Sequence, residues 1–457
     1  MGTLDAITGS QAAQSTYPIA VIGAGPVGLA AAAHLVLRGE RLVVLEASPS
    51  AGANVTEWGH VLVFSPWRYN VDDVARHLLS AHGWVAPDDD ALPTGKELVA
   101  QYLHPLASLP ELAPFIRFGA RVTGITRVGY DKMKTVGRSV APFALRMRPS
   151  NGGGSTLLPR AVIDASGTWG TPNPLGADGM PADGERGARD KIVYSIPDPL
   201  GADRERYAGR RVLVVGSGHS AFNVLLDLIE IATVSPITTI TWAIRRRDTG
   251  QLFGGGTADA LPARGRLGRQ VEAAVVSGRL RLIMGFRTAS VQRWHDGVSV
   301  VGVDGQAIGP FDEIIAATGF RPDLSLAQEL RLDLDPALES PRVLAPLIDP
   351  NVHSCGTVPP HGAGELSHPE SGFYTVGMKS YGRAPTFLMR TGYEQVRSVV
   401  AALAGDLEAA RRVELVLPET GVCSSSTDRA CSTHTPKPIA VVSGVARPGT
   451  SKPQEKW

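Results

Sequence analysis

The chain is poor in charge and in cysteine, and it has no long uninterrupted hydrophobic run. Only 19% of its 457 residues are charged and 43% are apolar, a composition that favours a compact fold over disorder. The 45 lysines and arginines nearly balance the 44 aspartates and glutamates. This balance provides no overall positive field for nucleic acid or an anionic membrane surface. The length is sufficient for two or three domains.

Three cysteines, Cys355, Cys423 and Cys431, are too few and too late in the chain for a secreted disulfide framework. Residues 1–18 lack the basic and apolar regions of a signal peptide, and glycine, proline and histidine interrupt the apolar run 19–37. We therefore predict a cytoplasmic protein without a membrane span that acts on a small molecule rather than on nucleic acid. The sequence leaves a homodimer open.

A first glycine motif follows a short apolar stretch, residues 19–22. Gly23, Gly25 and Gly28 have the spacing of the dinucleotide fingerprint, in which they allow the turn, the approach of a pyrophosphate and helix packing, respectively. A second apolar strand ends at Glu46, where a carboxylate accepts ribose hydroxyls and repels a 2′-phosphate. The pattern predicts a strand–helix–strand unit for a nucleotide with a free 2′-hydroxyl.

A second unit of the same kind begins at residue 211. Gly216, Gly218 and Ser220 lie in the turn between the next apolar strand and a helix, and alanine occupies the third glycine position. The strand after that helix ends in basic residues, Arg245 and Arg246 first among them, which are suited to bind a 2′-phosphate. A solvated basic loop is the alternative interpretation.

One unphosphorylated and one phosphorylated nucleotide together indicate FAD and NADPH. The fold class that we predict is α/β, with two Rossmann-like dinucleotide-binding domains, the NADPH domain being inserted into a discontinuous FAD domain. The predicted boundaries are a flexible N-terminus (1–14), an FAD domain (15–175 and 308–405), an NADPH domain (205–307) and a C-terminal extension, partly mobile (406–457).

These motifs resemble those of the two-dinucleotide-domain flavoproteins of the glutathione-reductase-like superfold, and most of all the group B flavin monooxygenases. The resemblance extends over residues 17–405. It implies that two strand ends, at Gly167 and at Thr318–Gly319, link the two halves, and that Phe373–Gly377 closes over the flavin. It also implies hydride transfer from NADPH to FAD, followed by oxygen transfer through a C4a-(hydro)peroxyflavin.

The sequence departs from the superfold in three places. No cysteine precedes residue 355, which excludes the redox cysteine pair that disulfide reductases carry in the first part of the chain. The stretch 189–197 lacks the histidine of the Baeyer–Villiger signature. The segment 376–380 lacks the aspartate that reductases place beside the flavin ribityl chain.

The resemblance implies that residues 58–70 line the flavin. Arg68 and Asn70 are the candidate catalytic residues there, since their donors could stabilise reactive oxygen in a dry pocket. Trp67 and Tyr69 have an equally good interpretation as core aromatics.

The stretch 353–370 is rich in histidine and glutamate, and it includes Cys355. Its spacing matches no common zinc site, and we therefore predict no metal. We interpret it as a loop beside the substrate, in which Cys355 has a low pKa or binds a thiophilic substrate. Some arsenic-resistance flavoproteins oxidise trivalent organoarsenicals, and the chain resembles that type.

The sequence thus predicts an FAD- and NADPH-dependent monooxygenase that uses O2 to oxygenate a small nucleophilic nitrogen, sulfur or arsenic centre. A reductase that passes electrons to a quinone, a metal species or a protein is the alternative. A flavin-bound sensor or scaffold without turnover is a third hypothesis.

Overall fold

A computed structural model describes residues 16–149, 153–250, 252–259, 261–352, 358–385 and 388–415. Among these residues, no helix combines the length and the apolarity needed to cross a bilayer.

The strands form two parallel sheets and two antiparallel sheets. They are β1 (Ile19–Ile22), β2 (Leu42–Leu45), β3 (Ile116–Arg117), β4 (Ala120–Arg127), β5 (Phe143–Pro149), β6 (Ser155–Leu157), β7 (Ala161–Asp164), β8 (Ile192–Val193), β9 (Arg211–Val215), β10 (Thr239–Ala243), β11 (Arg281–Ile283), β12 (Thr288–Trp294), β13 (Gly297–Gly302), β14 (Ala307–Phe311), β15 (Glu313–Ala316) and β16 (Phe373–Thr375).

The α-helices vary from one turn to four turns in length. They are α1 (Pro26–Leu37), α2 (Ala53–Thr56), α3 (Asp73–Ala81), α4 (Gly95–Leu98), α5 (His104–Ala107), α6 (Arg204–Tyr207), α7 (His219–Val234), α8 (Pro262–Val276), α9 (Ala345–Ile348), α10 (Met389–Leu403) and α11 (Leu407–Arg411). A π-helical turn, Val99–Leu103, joins α4 to α5. Short 3₁₀ turns are Trp67–Tyr69, Ala113–Phe115, Arg138–Val140, Arg186–Lys191, Gly256–Ala258, Ser325–Ala327 and Gly377–Tyr381.

The first parallel sheet has the strand order β16-β7-β1-β2-β3. Its central strands β1, β2 and β7 are short, apolar apart from Asp164, and completely buried, as expected where helices cover both faces of a parallel sheet. Buried side chains of α1 and α10 share one hydrophobic core beside it. β16 enters this sheet beside β7 although it lies far along the chain, and the first half of the molecule is therefore discontinuous, as predicted.

The second parallel sheet has the strand order β11-β10-β9-β15-β8. It contains Ile192–Val193 and Glu313–Ala316, two strands that lie outside the range 205–307 predicted for the NADPH domain. Strand β15 pairs with β9 because its four buried residues complete the same apolar sheet. The two antiparallel sheets, β4-β5-β6 and β12-β13-β14, lie one in each half of the chain.

The parallel strands and their helices confirm the predicted α/β class. The helix after the first glycine turn begins at Pro26, where the missing N–H of proline costs nothing. The predicted N-terminal segment 1–14 and most of the predicted C-terminal extension lie outside the described residues.

Candidate dinucleotide and flavin site

The first glycine turn has one open position and two closed ones. A Cβ on Gly23, whose φ is +100°, would lie 2.8 Å from the Ala165 carbonyl oxygen, and a Cβ on Gly28 would lie 2.0 Å from that of Gly23. A Cβ on Gly25 would meet no heavy atom within 4 Å. Gly25 caps the twelve-residue helix α1, and its open side therefore leaves room for a phosphate at the helix N-terminus.

Glu46 lies beside this turn, immediately after β2. One carboxylate oxygen accepts a hydrogen bond from the Ala24 N–H at 2.7 Å, and the other accepts one from the Ser48 N–H at 2.8 Å. A carboxylate has about four acceptor positions, so that ribose hydroxyls can still bind. The residues of this turn therefore fit an adenosine diphosphate group such as that of FAD.

The second glycine turn repeats this geometry. A Cβ on Gly216, with a φ of +131°, would lie 2.1 Å from the Ala317 carbonyl oxygen, whereas a Cβ on Gly218 would meet no heavy atom within 4 Å. Gly218 caps the sixteen-residue helix α7. The buried Trp242 indole donates a 2.6 Å hydrogen bond to the Gly216 carbonyl and so supports the turn from β10.

Arg245 and Arg246 follow β10 and are both exposed. Among the described residues, neither guanidinium has an ion pair or a hydrogen bond with another side chain. Ser220 lies in the first turn of α7. The carboxyl ends of β9 and β10 therefore present the open glycine and the basic side chains on one edge of the second sheet, where ligands of such sheets bind.

The chain just after the first predicted linking segment lies against the second one. The Thr318 hydroxyl donates to the Asn173 carbonyl at 2.7 Å, and the Asn173 side-chain amide donates back to the Thr318 carbonyl at 3.1 Å. Gly319 accepts from the Asn173 N–H at 2.9 Å. The Trp169 and Phe320 rings, which follow Gly167 and Gly319, stack with centroids 4.7 Å apart.

Residues 58–70 reach the second half of the molecule. The Phe64 ring lies 5.0 Å from the imidazole of His219, the first residue of α7. Arg68 is half-exposed and forms an ion pair with Asp90. This partner lies at the surface, and the candidate role of Arg68 stays a prediction.

Asn70 is buried, and its side chain is bound within its own segment. The amide donates to the Ser65 carbonyl at 2.7 Å and to the Pro66 carbonyl at 3.1 Å, while its oxygen accepts from the Ser65 hydroxyl. Both amide hydrogens are therefore engaged. To donate to a substrate or to oxygen, the amide would have to give up one of these carbonyls.

The titratable residues of the stretch 358–370 have separate partners. Glu370 binds Arg127 and Arg138 at 2.8 Å each, and all three side chains are buried. The His361 Nε2 accepts from Gln395, and the His368 Nδ1 accepts from the Asp333 N–H. Within the part of the chain that the structure describes, no three histidine, cysteine or acidic side chains form a metal site. Cys355 lies outside that part.

The segment predicted to close over the flavin carries a charged residue that sequence reasoning missed. Gly377 has a φ of +69° and follows β16. Two residues later, Lys379 is buried and its ammonium lies 2.7 Å from the Asp164 carboxylate at the end of β7. An aspartate at the end of a buried strand needs a partner. Asp164 was therefore the signal in the sequence from which a buried cation nearby could have been expected.

Comparisons with known proteins agree with this geometry. The family model of the NAD(P)-binding Rossmann-like domain matches residues 21–91. The ferredoxin–NADP reductase of Salinispora tropica is 29% identical over 326 residues, 69% of this chain and 78% of that protein. The indole-3-pyruvate monooxygenase YUCCA1 of Oryza sativa subsp. japonica is 32% identical over 213 residues, 46% of this chain and 44% of that protein.

Solved structures show the same fold. The bacillithiol disulfide reductase of Bacillus cereus aligns with a TM-score of 0.63 at 18% identity, covering 85% of this chain and 99% of that one. The FAD-bound cadaverine monooxygenase of the desferrioxamine pathway from Erwinia amylovora aligns with a TM-score of 0.59 at 15% identity, covering 90% and 99%.

The fold is therefore that of the two-dinucleotide-domain flavoproteins, and the resemblance predicted from the glycine motifs is confirmed. The two glycine turns, the family model and the relatives together define the chain as an oxidoreductase with FAD and NADPH as its cofactors.

Proposed function

We propose that this flavoprotein is a monooxygenase that oxygenates a small nucleophilic nitrogen, sulfur or arsenic centre. In the overall reaction, NADPH supplies two electrons, one atom of O2 is transferred to a lone pair of the substrate, and the other atom leaves as water. Bound FAD would supply the redox chemistry between NADPH and O2. The chain would bind and orient the two nucleotides.

The observation that carries this proposal is the pair of glycine turns with different charged neighbours. The open side of Gly25 lies beside the Glu46 carboxylate, and the open side of Gly218 lies on the same sheet edge as Arg245 and Arg246. One turn therefore suits an unphosphorylated ribose and the other a 2′-phosphate. The identity to the rice monooxygenase and the fold shared with the cadaverine monooxygenase support the oxygenase branch.

Asn70 and Cys355 remain our candidate catalytic residues, with Arg68 as the weaker third. Asn70 is the C-cap residue of the 3₁₀ turn Trp67–Tyr69, and its polar side chain is buried. The Tyr393 hydroxyl donates to the Asn70 carbonyl at 2.7 Å, and this bond fixes the backbone of the segment from α10. A rigid support of this kind is what a hydrogen-bond donor at a reaction centre requires.

A second candidate function has its own support. The ferredoxin–NADP reductase relatives cover 69% of this chain, which favours a reductase that passes electrons to a separate acceptor. The two functions differ in where oxygen goes, because a reductase incorporates none into a product.

The deciding experiment uses protein reconstituted with FAD, NADPH and ¹⁸O₂. A primary amine, a thioether and methylarsenite are supplied in turn, and product and hydrogen peroxide are measured by mass spectrometry and a peroxidase assay. We expect one of the three to yield an ¹⁸O-labelled product equimolar with the NADPH consumed. NADPH oxidation that gives only peroxide, or only a reduced ferredoxin or dye, would instead establish the reductase.

A further inference from the structure

Lys379 and Asp164 form an ion pair that is almost completely buried. The Lys379 ammonium lies 2.7 Å from Asp164 Oδ2 and 3.0 Å from the Ser166 hydroxyl, and the side chains of Lys379 and Asp164 are each only 2% exposed. Desolvating two such ions costs several kcal/mol each, and apolar residues of similar size often stabilise a core as well. The pair therefore calls for a role beyond stability.

The pair lies at the edge of the first sheet that receives the nucleotide. Asp164 is opposite Ile22, the residue before Gly23, and it also pairs with Thr375 of β16. The Cα of Ser166 lies 3.2 Å from where a Cβ on Gly23 would be. The cation is thus held between the first glycine turn and the segment that follows β16, outside the carboxyl ends of parallel strands.

The turn that carries Lys379 is rigidly held. Gln395, which is fully buried, accepts from the Gly377 N–H at 2.7 Å and donates to His361 Nε2 and to the Ser380 hydroxyl, at 2.9 Å each. The Ser380 hydroxyl in turn donates to the Gly377 carbonyl. A turn fixed by four satisfied polar groups places the following charge within a narrow range of positions.

The protonation of His361 follows from these bonds. The carbonyl of Pro359 can only accept, and the His361 Nδ1 at 3.0 Å therefore carries the hydrogen. The Nε2 is then free to accept from Gln395. Burial lowers the pKa of His361, which agrees with a neutral ring.

The hydrogen-bonding capacity of the ammonium is not exhausted. An ammonium has three N–H donors, and among the described residues two of them are used, by Asp164 and Ser166. The other oxygen of Asp164 accepts from the N–H and the hydroxyl of Ser166. The third donor has no hydrogen-bond partner among the described residues.

We propose that Lys379 and Asp164 set the reduction potential of the bound flavin through their opposite charges. The inference rests on the proposed function insofar as FAD has to bind at the first glycine turn. FAD gains negative charge when it is reduced, so the Lys379 ammonium favours the reduced form and the Asp164 carboxylate opposes it. Removing one partner exposes the uncompensated charge of the other.

The test is a dye-coupled potential titration of the holoprotein at pH 7 in four variants. Lys379→Met should lower the two-electron reduction equilibrium constant about tenfold, which corresponds to about 30 mV. Asp164→Asn should raise it by a similar factor. Lys379→Gln, which keeps a donor for Asp164, serves if the methionine variant does not fold. Lys191→Met, which removes a lysine paired with Glu313 in the second sheet, is the matched control and should change nothing.

Opposite shifts in the two variants support the inference, because a merely structural pair would shift both potentials in the same direction or neither. If the two variants shift the potential in the same direction, or change the reduction equilibrium constant less than twofold, the inference is overturned. The proposed function fails separately: wild-type protein that takes up no FAD, or that yields no oxygenated product, contradicts the function. Wild-type holoprotein with normal turnover and unresponsive variants contradicts only the role of Lys379 and Asp164.

Discussion

The aromatic ring of Phe64, from the first half of the chain, packs against the imidazole of His219, with ring centroids 5.0 Å apart. His219 is the first residue of α7, the helix whose N-terminus carries the open Gly218. The guanidinium carbon of Arg264 lies 6.0 Å from the centroid of the Phe64 ring. The segment that is predicted to line the flavin therefore covers the start of α7, the helix that we propose to bind NADPH.

Replacing Phe64 should make NADPH bind more tightly. We propose that the phosphates of the nucleotide bind at the N-terminus of α7, and we expect the Phe64 ring, which contacts His219, to compete with them for space beside that first residue. For Phe64→Ala we expect the Kd for NADPH, measured by isothermal titration calorimetry, to fall about threefold, or about 0.7 kcal/mol. Leu62→Ala, at an exposed residue of the same segment, is the control. A weaker affinity would mean that Phe64 supports the nucleotide, and an unchanged affinity would mean that it does not compete with it.

The two glycines of the first turn should respond differently to alanine. Gly28→Ala forces a Cβ to within 2.0 Å of the Gly23 carbonyl oxygen, and the overpacking should cost about 1–3 kcal/mol or more of the free energy of unfolding. Gly25→Ala meets no such contact, and the apoprotein should lose less than about 1 kcal/mol. Its Kd for FAD should nevertheless rise at least tenfold. Thermal denaturation of apoprotein and flavin fluorescence titration measure the two effects, and equal destabilisation would contradict this assignment.

The arginines after β10 should discriminate between the two nicotinamide nucleotides. Arg245→Ala combined with Arg246→Ala removes the charges proposed to bind the 2′-phosphate. We expect KM for NADPH to rise tenfold or more and KM for NADH to change less than twofold in steady-state assays.

The control for the arginine pair is Arg279→Ala combined with Arg281→Ala. Both are exposed and lie at or before the amino end of β11, the edge opposite the nucleotide. This control should leave both KM values unchanged. The 2′-phosphate role is wrong if the loss at Arg245 and Arg246 is the same for NADPH and NADH.

Asp227 in α7 should make stability depend on pH. Burial, with smaller contributions from Asp198 and Glu230, raises the pKa of Asp227 to about 7. The folded protein then keeps a proton that the unfolded chain loses near pH 4, and between about pH 4 and 7 this group lowers stability by at most about 1.4 kcal/mol per pH unit. Asp227→Asn should therefore be more stable than the wild type at pH 8 and about equal at pH 4.

Urea denaturation at the two pH values measures this difference. Glu272→Gln, at an exposed acidic residue of the neighbouring helix α8, is the control and should keep the pH dependence of the wild type. If Asp227→Asn gains no stability at pH 8, the carboxyl titrates normally.

Much of the fold follows from sequence because local signals agree there. The strand Ile19–Ile22, the glycine turn and the helix that begins at Pro26 combine apolar runs, positive φ and a proline that suits a helix start. The boundary of the second half was less predictable. Strand β15 has only four residues, three of them apolar, and such a short run fits either parallel sheet until its pairing with β9 is known.

The site is less predictable than the fold because its polar residues find partners far away in sequence. Glu370 lies in a stretch that also suggests metal ligands, but its partners are Arg127 and Arg138, more than two hundred residues earlier. Lys379 and Asp164 are separated by 215 residues. No periodicity links such pairs, and Lys379 comes close to Asp164 because β16 pairs with β7.

The same pairing imposes an order on synthesis. The edge of β7 that receives β16 has no partner until roughly 210 more residues have been made, which takes on the order of 10–40 s at usual translation rates. By then every strand of the second sheet has left the ribosome. A first sheet that forms before then therefore has unpaired hydrogen-bonding groups along β7, the kind of edge that invites pairing with other chains.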